Sequence, residues 1–360
     1  MNKDNYLVSV LNSLLEKHTI KFLSDKLNLA PGTLKRWIEN KDIPKNYEFD
    51  LFKLAGIPID YSKYSTKLKD QFYTPIETAK ICFDLFSQQI KKYGENEKDF
   101  VYIEPSAGDG NFLKVFPDMC DRIAMDIEPK HPDVFVKDYL DWKPEKQGRY
   151  VVFGNPPFGL RGHTALKFIN HSSSFAEYVC FILPQLFEID GKGVPRKRVQ
   201  GFHLLFSKKL ETHFYEPNKK ELKINIIFQI WSKNHVNEDF IIPSYMNTND
   251  TNNTNNINQP SIKIFSLSDG GTPASTRNKN MLDKCDLYIP STCFGKENMK
   301  CYTKFDSLPG KKGYGIVFYN ADKEDYIKKM SGIQWNQIAF LSTNSAYNLR
   351  SSQILYAFHN

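Results

Sequence analysis

The chain has 360 residues, 41% hydrophobic and 25% charged, and carries a formal net charge of +7 from 48 basic and 41 acidic side chains. This length fits two or three domains, each able to bury a core. No stretch approaches the roughly 20 apolar residues that span a bilayer, so no transmembrane helix is expected. The first residues, MNKDNYLVSVLNSLLEKH, lack the order of a signal peptide, so a cytoplasmic location is expected. The six cysteines form no CxxC pair, and the evenly spaced Cys285, Cys293 and Cys301 have no nearby His, so reduced thiols and no metal are expected. A mild positive bias is compatible with a polyanionic partner and does not by itself identify one.

Residues 1–60 are helical in pattern. Within TIKFLSDKLNLAPGTLKRWIENKDIP, Leu23 and Leu27 share one helix face, while Leu34, Trp37 and Ile38 share another, with a break from Asn28 to Gly32. This stretch resembles the helix-turn-helix of phage-repressor-like DNA-binding domains, whose second helix enters the major groove. An ordinary helical hairpin with a Trp in its core is the other reading of the same residues. In the DNA-binding reading Thr33, Lys35, Arg36 and Asn40 project outward, where such side chains suit phosphates and base edges.

Residues 61–235 alternate β-rich and helical runs, which predicts an α/β domain with a parallel sheet. It opens with DQFYTPIETAKICFDLFSQQI. Thr74, Pro75 and Glu77 predict a capping box, and Ile76, Ala79, Phe83, Phe86 and Ile90 form one apolar stripe. The apolar run from Phe100 to Ile103 predicts a strand ending in EPSAGDG, a small-residue turn before a helical NFLKVF. Such a turn at a strand's carboxyl end lets a ligand approach the backbone closely. A second strand ends in Asp126, placed to accept hydrogen bonds from ribose hydroxyls, and a third ends in Asp138-Tyr139-Leu140. A fourth, Tyr150 to Phe153, ends in Gly154-Asn155-Pro156-Pro157-Phe158-Gly159.

That last motif has a specific chemistry. The lone pair of adenine's exocyclic amine is delocalised into the ring, so methylation needs acceptors on the amine hydrogens. The side-chain oxygen of Asn155 and the carbonyl of Pro156 supply two, and Pro156 and Pro157 stiffen the loop that aims them. Phe158 can stack on a base taken out of its helix. No strong base is required, because the proton leaves after methylation has made it acidic.

DQFYTP, IEPSAGDGNF, MDIEP, KDYLDW and GNPPFG together resemble the adenine-N6 DNA methyltransferases of the γ arrangement, from Asp70 to Lys233. The resemblance implies a Rossmann-like, S-adenosylmethionine-dependent methyltransferase domain, with a small N-terminal helical domain and a C-terminal mixed α+β region. It implies that Tyr73 and Thr74 lie along the cofactor's methionine. Glu104, Ser106 and Gly108 would surround its amino-acid end, Asp126 the ribose, and Asp138 with Tyr139 the adenine. YVCFILPQLF would be the fifth strand and HFYEPNKKELKINIIFQIW the final hairpin, with Phe214 or Tyr215 as a second base-stacking ring.

Residues 186–234 hold ten Lys/Arg against five Asp/Glu, including Arg196, Lys197 and Arg198, which form either a solvated loop or a phosphate contact. The tract at 247–260, NTNDTNNTNNINQP, is too polar for a core and is expected to be a loop. It lies within residues 236–360, which the resemblance makes the target-recognition region. The implied partner is duplex DNA with a flipped adenine. Methyltransferases of ribosomal RNA adenines or of protein glutamines share the Asn-Pro-Pro-aromatic motif. A non-catalytic DNA-binding accessory subunit would have lost catalytic residues that are all present here.

Overall fold

The structure is a computed structural model that describes residues 4–27, 29–188, 194–218, 220–222, 225–237, 262–269, 276–304, 308, 312–319, 322–341 and 346–359. The polar tract at 247–260 and Asn28 lie outside the described residues. Among the described residues no helix is long and apolar enough to cross a membrane, and no cluster of three or more His, Cys, Asp or Glu could hold a metal.

The chain begins with α1 (Asp4–Lys17), α2 (Ile20–Lys26), α3 (Pro31–Asn40) and α4 (Glu48–Ala55). Thr19 caps α2 by accepting the Phe22 N–H at 3.2 Å, and Pro31 opens α3 where its missing N–H costs nothing. The helices close on a core that includes Leu11, Leu23, Leu27, Leu34, Trp37 and Leu51. Burial of Leu34 and Trp37 turns the opposite side of α3 outward: Lys35, Arg36 and Asn40 are exposed and Thr33 is half-buried.

The central sheet follows. Its elements are α5 (Ile76–Lys91), β1 (Val101–Glu104), β2 (Arg122–Asp126), β3 (Phe135–Val136), β4 (Tyr150–Gly154), α6 (His163–Ser172), β5 (Ala176–Pro184), β6 (His203–Leu210), β7 (Phe214–Tyr215), β8 (Glu221–Leu222) and β9 (Ile226–Ser232). Seven strands align in the order β3-β2-β1-β4-β5-β9-β6, with β9 antiparallel to both neighbours and β1 to β5 parallel. Successive residues on a strand point to opposite faces, so each inner strand serves two cores. Tyr102, Val151 and Phe153 meet Ala79, Phe86 and Ile90 of α5 on one face. Ile103, Val152 and Val179 meet Leu166 and Ile169 of α6 on the other. Each such fully buried aliphatic side chain is worth about 1.5–3 kcal/mol of transfer free energy.

The remaining elements are β10 (Ile262–Ser268), β11 (Leu287–Pro290), β12 (Thr292–Phe294), β13 (Lys312–Phe318), α7 (Lys323–Gly332), α8 (Trp335–Ile338), β14 (Phe340–Leu341), β15 (Ala346–Asn348) and α9 (Ser351–His359). They form two antiparallel sheets, β10-β13-β11 and β12-β15-β14. Their core centres on Trp335, whose indole N–H donates to the Met330 carbonyl at 2.9 Å. Phe340 meets Val194, joining this part to the loop before β6.

Three expectations are corrected. Helix α5 starts at Ile76 with Pro75 as its N-cap residue, and Thr74 makes no capping bond. Its backbone is held elsewhere, since the Thr74 carbonyl accepts from the Asn111 side chain at 2.9 Å. Residues 111–116 form a run of turns and no α-helix, because Leu113 sends its N–H to the Glu104 carboxylate and not to a helical carbonyl. Strand β9 pairs with β6, residues 203–210, whereas Phe214–Tyr215 and Glu221–Leu222 make the separate small ribbon β7–β8. Tyr139 is drawn into the core, 1% exposed, with its hydroxyl 2.7 Å from that of Ser172 and its ring against Phe168.

Candidate active site

Sheet order reverses direction at β1 and β4: β2 lies on one side of the pair and β5 on the other. In an open α/β sheet a crevice forms outside the carboxyl ends of the strands at such a switch point. Glu104 ends β1, Asp126 ends β2 and Asn155 follows β4, so the fold gathers these residues at that crevice.

On the β1–β2 side the polar groups hold one another. Glu104 is 2% exposed and accepts the Leu113 N–H at 2.8 Å. Burial pushes its carboxyl well above the usual range. Asp126 accepts the N–H of Gly108 at 2.9 Å and of Glu128 at 2.8 Å, clamping the turn after β1 onto the end of β2, and burial raises its pKa too. Gly108 has φ +53°, and a Cβ there would come within 2.7 Å of the Tyr73 ring. Only glycine suits both the left-handed backbone and that contact. Ser106 donates its hydroxyl to the Asn155 carbonyl at 3.1 Å, tying this turn to the loop after β4.

On the β4 side a narrow pocket is lined by Asp70, Phe72, Asn155, Pro156, Phe158 and Phe214. The Asn155 amide nitrogen donates to the Phe72 carbonyl at 3.1 Å. A carbonyl can only accept, so this bond settles which end of the amide is which. Its oxygen Oδ1 is left buried with no hydrogen-bond partner. Leaving a buried acceptor unpaired costs about 1–3 kcal/mol, a cost that a ligand with an N–H to donate removes. Buried unpaired atoms also occur on Ser24, Gln229 and Trp231, but Asn155 alone among such residues lines this pocket. Phe158 and Phe214 are 6% and 1% exposed, so the pocket is closed by packed rings.

Residues 70–74 run as a strap across both sides. Tyr73 exchanges backbone hydrogen bonds with Tyr215 at 2.8 and 3.2 Å, which brings the β7–β8 ribbon over the crevice. The Tyr215 hydroxyl donates to Asp109, and Asn111 donates to that hydroxyl at 2.8 Å. Tyr215 therefore faces the β1 turn, while Phe214 faces the pocket. The Thr74 hydroxyl is buried without a partner.

Asp70 was not singled out in the sequence, yet it lines the pocket and accepts the Gly159 N–H at 2.6 Å, anchoring the end of the Asn-Pro-Pro-Phe-Gly loop. Burial pushes its carboxyl up to about 6. Its φ of +50° is uncommon outside glycine, Asn and Asp, a signal that the sequence does not display.

Asp138 lies after β3, where one oxygen accepts the Leu140 N–H and the other the Lys53 ammonium, both at 2.9 Å. Arg196, Lys197 and Arg198 sit in a short turn, Pro195–Arg198, with Lys197 exposed and both arginines half-buried. The Arg198 charge bears on Tyr47 and His163, so this run adjoins the helical bundle. Thr33, Lys35 and Arg36 lie on α3.

The acceptor-rich β1–β2 side fits S-adenosylmethionine, whose ammonium group, ribose hydroxyls and adenine amine are all donors. Glu104, Asp109, Asp126 and Asp138 offer carboxylates there, and the buried Thr74 hydroxyl is unpartnered.

No protein-family model matches the chain, and no curated protein matches it. Similar solved structures include a Pyrococcus horikoshii protein assigned to the RNA methyltransferases, 19% identical over 48% of this chain and 90% of that one, with a TM-score of 0.36. A chain from a type I restriction–modification system is 13% identical over 64% of this chain and 61% of that one, with a TM-score of 0.34. A 23S rRNA methyltransferase is 15% identical over 45% of this chain and 69% of that one, with a TM-score of 0.30. The strand order of the central sheet, with β9 reversed between β5 and β6, is that of the Rossmann-like S-adenosylmethionine-dependent methyltransferase fold.

Proposed function

We propose that this chain is a site-specific adenine-N6 methyltransferase that uses S-adenosylmethionine and acts on duplex DNA with the target base flipped out. One observation carries the reading: Asn155 Oδ1 is a buried, unpartnered acceptor in an aromatic-walled pocket beside the donor-accepting side of the crevice. Bound S-adenosylmethionine supplies an electrophilic methyl group. Asn155 Oδ1 and the Pro156 carbonyl accept the two amine hydrogens of adenine and localise the nitrogen lone pair toward that methyl. Phe158 and Phe214 stack on the base once the closed wall has parted. The Phe72 bond fixes the amide, and Asp70 fixes the far end of the loop, so the acceptors are aimed before the base arrives.

Labour divides along the chain in this reading. Residues 1–60 bind DNA through Lys35 and Arg36 on α3, residues 61–235 carry the chemistry, and residues 236–360 recognise the target sequence. The exposed cations of α3 and the net charge of +7 support a polyanionic partner. Purified protein with tritiated S-adenosylmethionine and separate duplex DNA, RNA and protein substrates tests the reading. Label in duplex DNA is expected. Label confined to RNA or protein overturns the substrate, and no transfer to any substrate overturns the enzyme.

A further inference from the structure

The N-terminal helical bundle is bound to the sheet by contacts that converge on one rim of the crevice. From α4, the Lys53 ammonium lies 2.9 Å from Asp138 and 2.9 Å from Asp141. One turn earlier on the same helix, Asp50 meets Lys167 of α6 at 2.7 Å and His163 at 3.3 Å. The rings of Tyr47 and His163 lie 5.4 Å apart, and beyond the bundle Lys69 pairs with Glu128 at 2.6 Å. Leu51 and Phe52, which flank Lys53 on its N-terminal side, are buried in the bundle core, so the backbone that presents the ammonium is fixed.

The segment that Lys53 grips follows a short edge strand and is anchored in the core by Tyr139. Strand β3 is a two-residue edge strand with both side chains exposed. Asp138 and Asp141 follow within six residues, on either side of the buried Tyr139. Two carboxylates this near repel each other unless a cation lies between them. Lys53 is that cation. Burial alone would lower its pKa, yet Asp141 and Asp138 outweigh burial and the net shift is upward.

We propose that the helical bundle is a working part of the cofactor site, with Lys53 as a positioning residue that neutralises Asp141 and holds Asp138 where it meets the cofactor's adenine. The proposal rests on Asp138 being a cofactor acceptor. It also joins the two tasks of the chain, because α4 and the outward-facing α3 share one core, through Trp37 against Tyr47 at 4.8 Å. Through this bundle, DNA held on α3 and cofactor held at Asp138 stabilise the same docked arrangement, and their binding is coupled in both directions.

The test uses the full chain. S-adenosylmethionine is titrated calorimetrically into the wild type, Lys53→Met, Lys53→Arg, Asp138→Asn and the Lys53→Met/Asp138→Asn double variant. KM for S-adenosylmethionine and kcat are measured on saturating DNA. The pair is partly exposed, so Lys53→Met should weaken cofactor binding by about three- to fivefold, raise KM by the same factor and leave kcat unchanged. Lys53→Arg should restore most of the loss, and Lys53→Met should add nothing once Asp138 is Asn. A merely structural lysine would lower thermal stability without this split between KM and kcat. Wild-type affinity in Lys53→Met, tighter binding, or an equal loss on the Asp138→Asn background overturns the proposal alone. A wild type that binds no S-adenosylmethionine overturns the underlying reading of the crevice and the proposal with it.

Discussion

The two sides of the crevice treat their polar groups in opposite ways. On the β1–β2 side Glu104 and Asp126 already have backbone partners: Glu104 accepts from Leu113, and Asp126 accepts from Gly108 and Glu128. On the β4 side Asn155 commits its nitrogen to Phe72 and leaves its oxygen buried and unpaired. A carboxylate has lone pairs to spare, so it can shape a turn and still receive a ligand. A single amide oxygen cannot do both. The contrast suits a pocket that is built by the protein on one side and completed by its target on the other.

The largest expected effect follows from the unpaired oxygen. Asn155→Ala should lower methyl transfer by about 10²-fold or more while S-adenosylmethionine binds nearly as before, since Asn155 touches the target and not the cofactor. Near-normal turnover in this variant would break the contrast. Asp126→Ala should do the reverse and weaken cofactor binding by about 1–3 kcal/mol, measured by calorimetry. Its two backbone bonds add a second consequence, a looser turn at Gly108, visible as faster amide exchange there. Phe158→Ala should spare the cofactor and impair capture of the base, which 2-aminopurine fluorescence at the target position reports.

Asp70 sharpens the same comparison through pH. Burial raises its carboxyl to about 6 in the fold, above the ordinary value, so the fold favours the protonated form. The stability this contributes is complete below about pH 4 and is lost as pH rises through about 6. Asp70→Asn keeps an acceptor for Gly159 and tolerates the left-handed backbone, but does not ionise. Its Tm should therefore fall less than that of the wild type between pH 4 and 7, by the equivalent of about 1–2 kcal/mol. Parallel Tm curves for the two proteins would show that Asp70 is well solvated.

These particular residues also show what the sequence could and could not reveal. The strands ending at Glu104, Asp126 and Gly154 were legible because apolar runs stop at small or acidic residues, and the parallel sheet followed from their alternation with helices. The turns at 111–116 and the β6–β9 pairing were not, because they depend on a distant carboxylate and on pairings between remote segments. The packing of Tyr139 was not legible either, because its ring joins Phe168 in a core built from remote segments. Asp70 was hidden for a related reason: its role comes from a bond to a glycine 89 residues away.

The smallest expected effect lies farthest from the crevice. Replacing Lys35 and Arg36 together with Ala should weaken DNA binding and make its salt dependence shallower by about two phosphate contacts, with cofactor affinity unchanged. The methylated sequence should stay the same if residues 236–360 read it, and a changed sequence would make α3 the recognition element. Deleting residues 1–60 is a poorer separation of the two tasks, since it removes Lys53 from Asp138 as well.

The most direct test of the central claim is chemical. Duplex DNA incubated with the protein and labelled S-adenosylmethionine is digested to nucleosides, and the labelled product is identified by mass, for the wild type and for Asn155→Ala. The account predicts N6-methyladenine from the wild type and essentially none from Asn155→Ala. Label on cytosine, or N6-methyladenine formed equally by both proteins, would contradict the assignment of the Asn155 oxygen to the adenine amine.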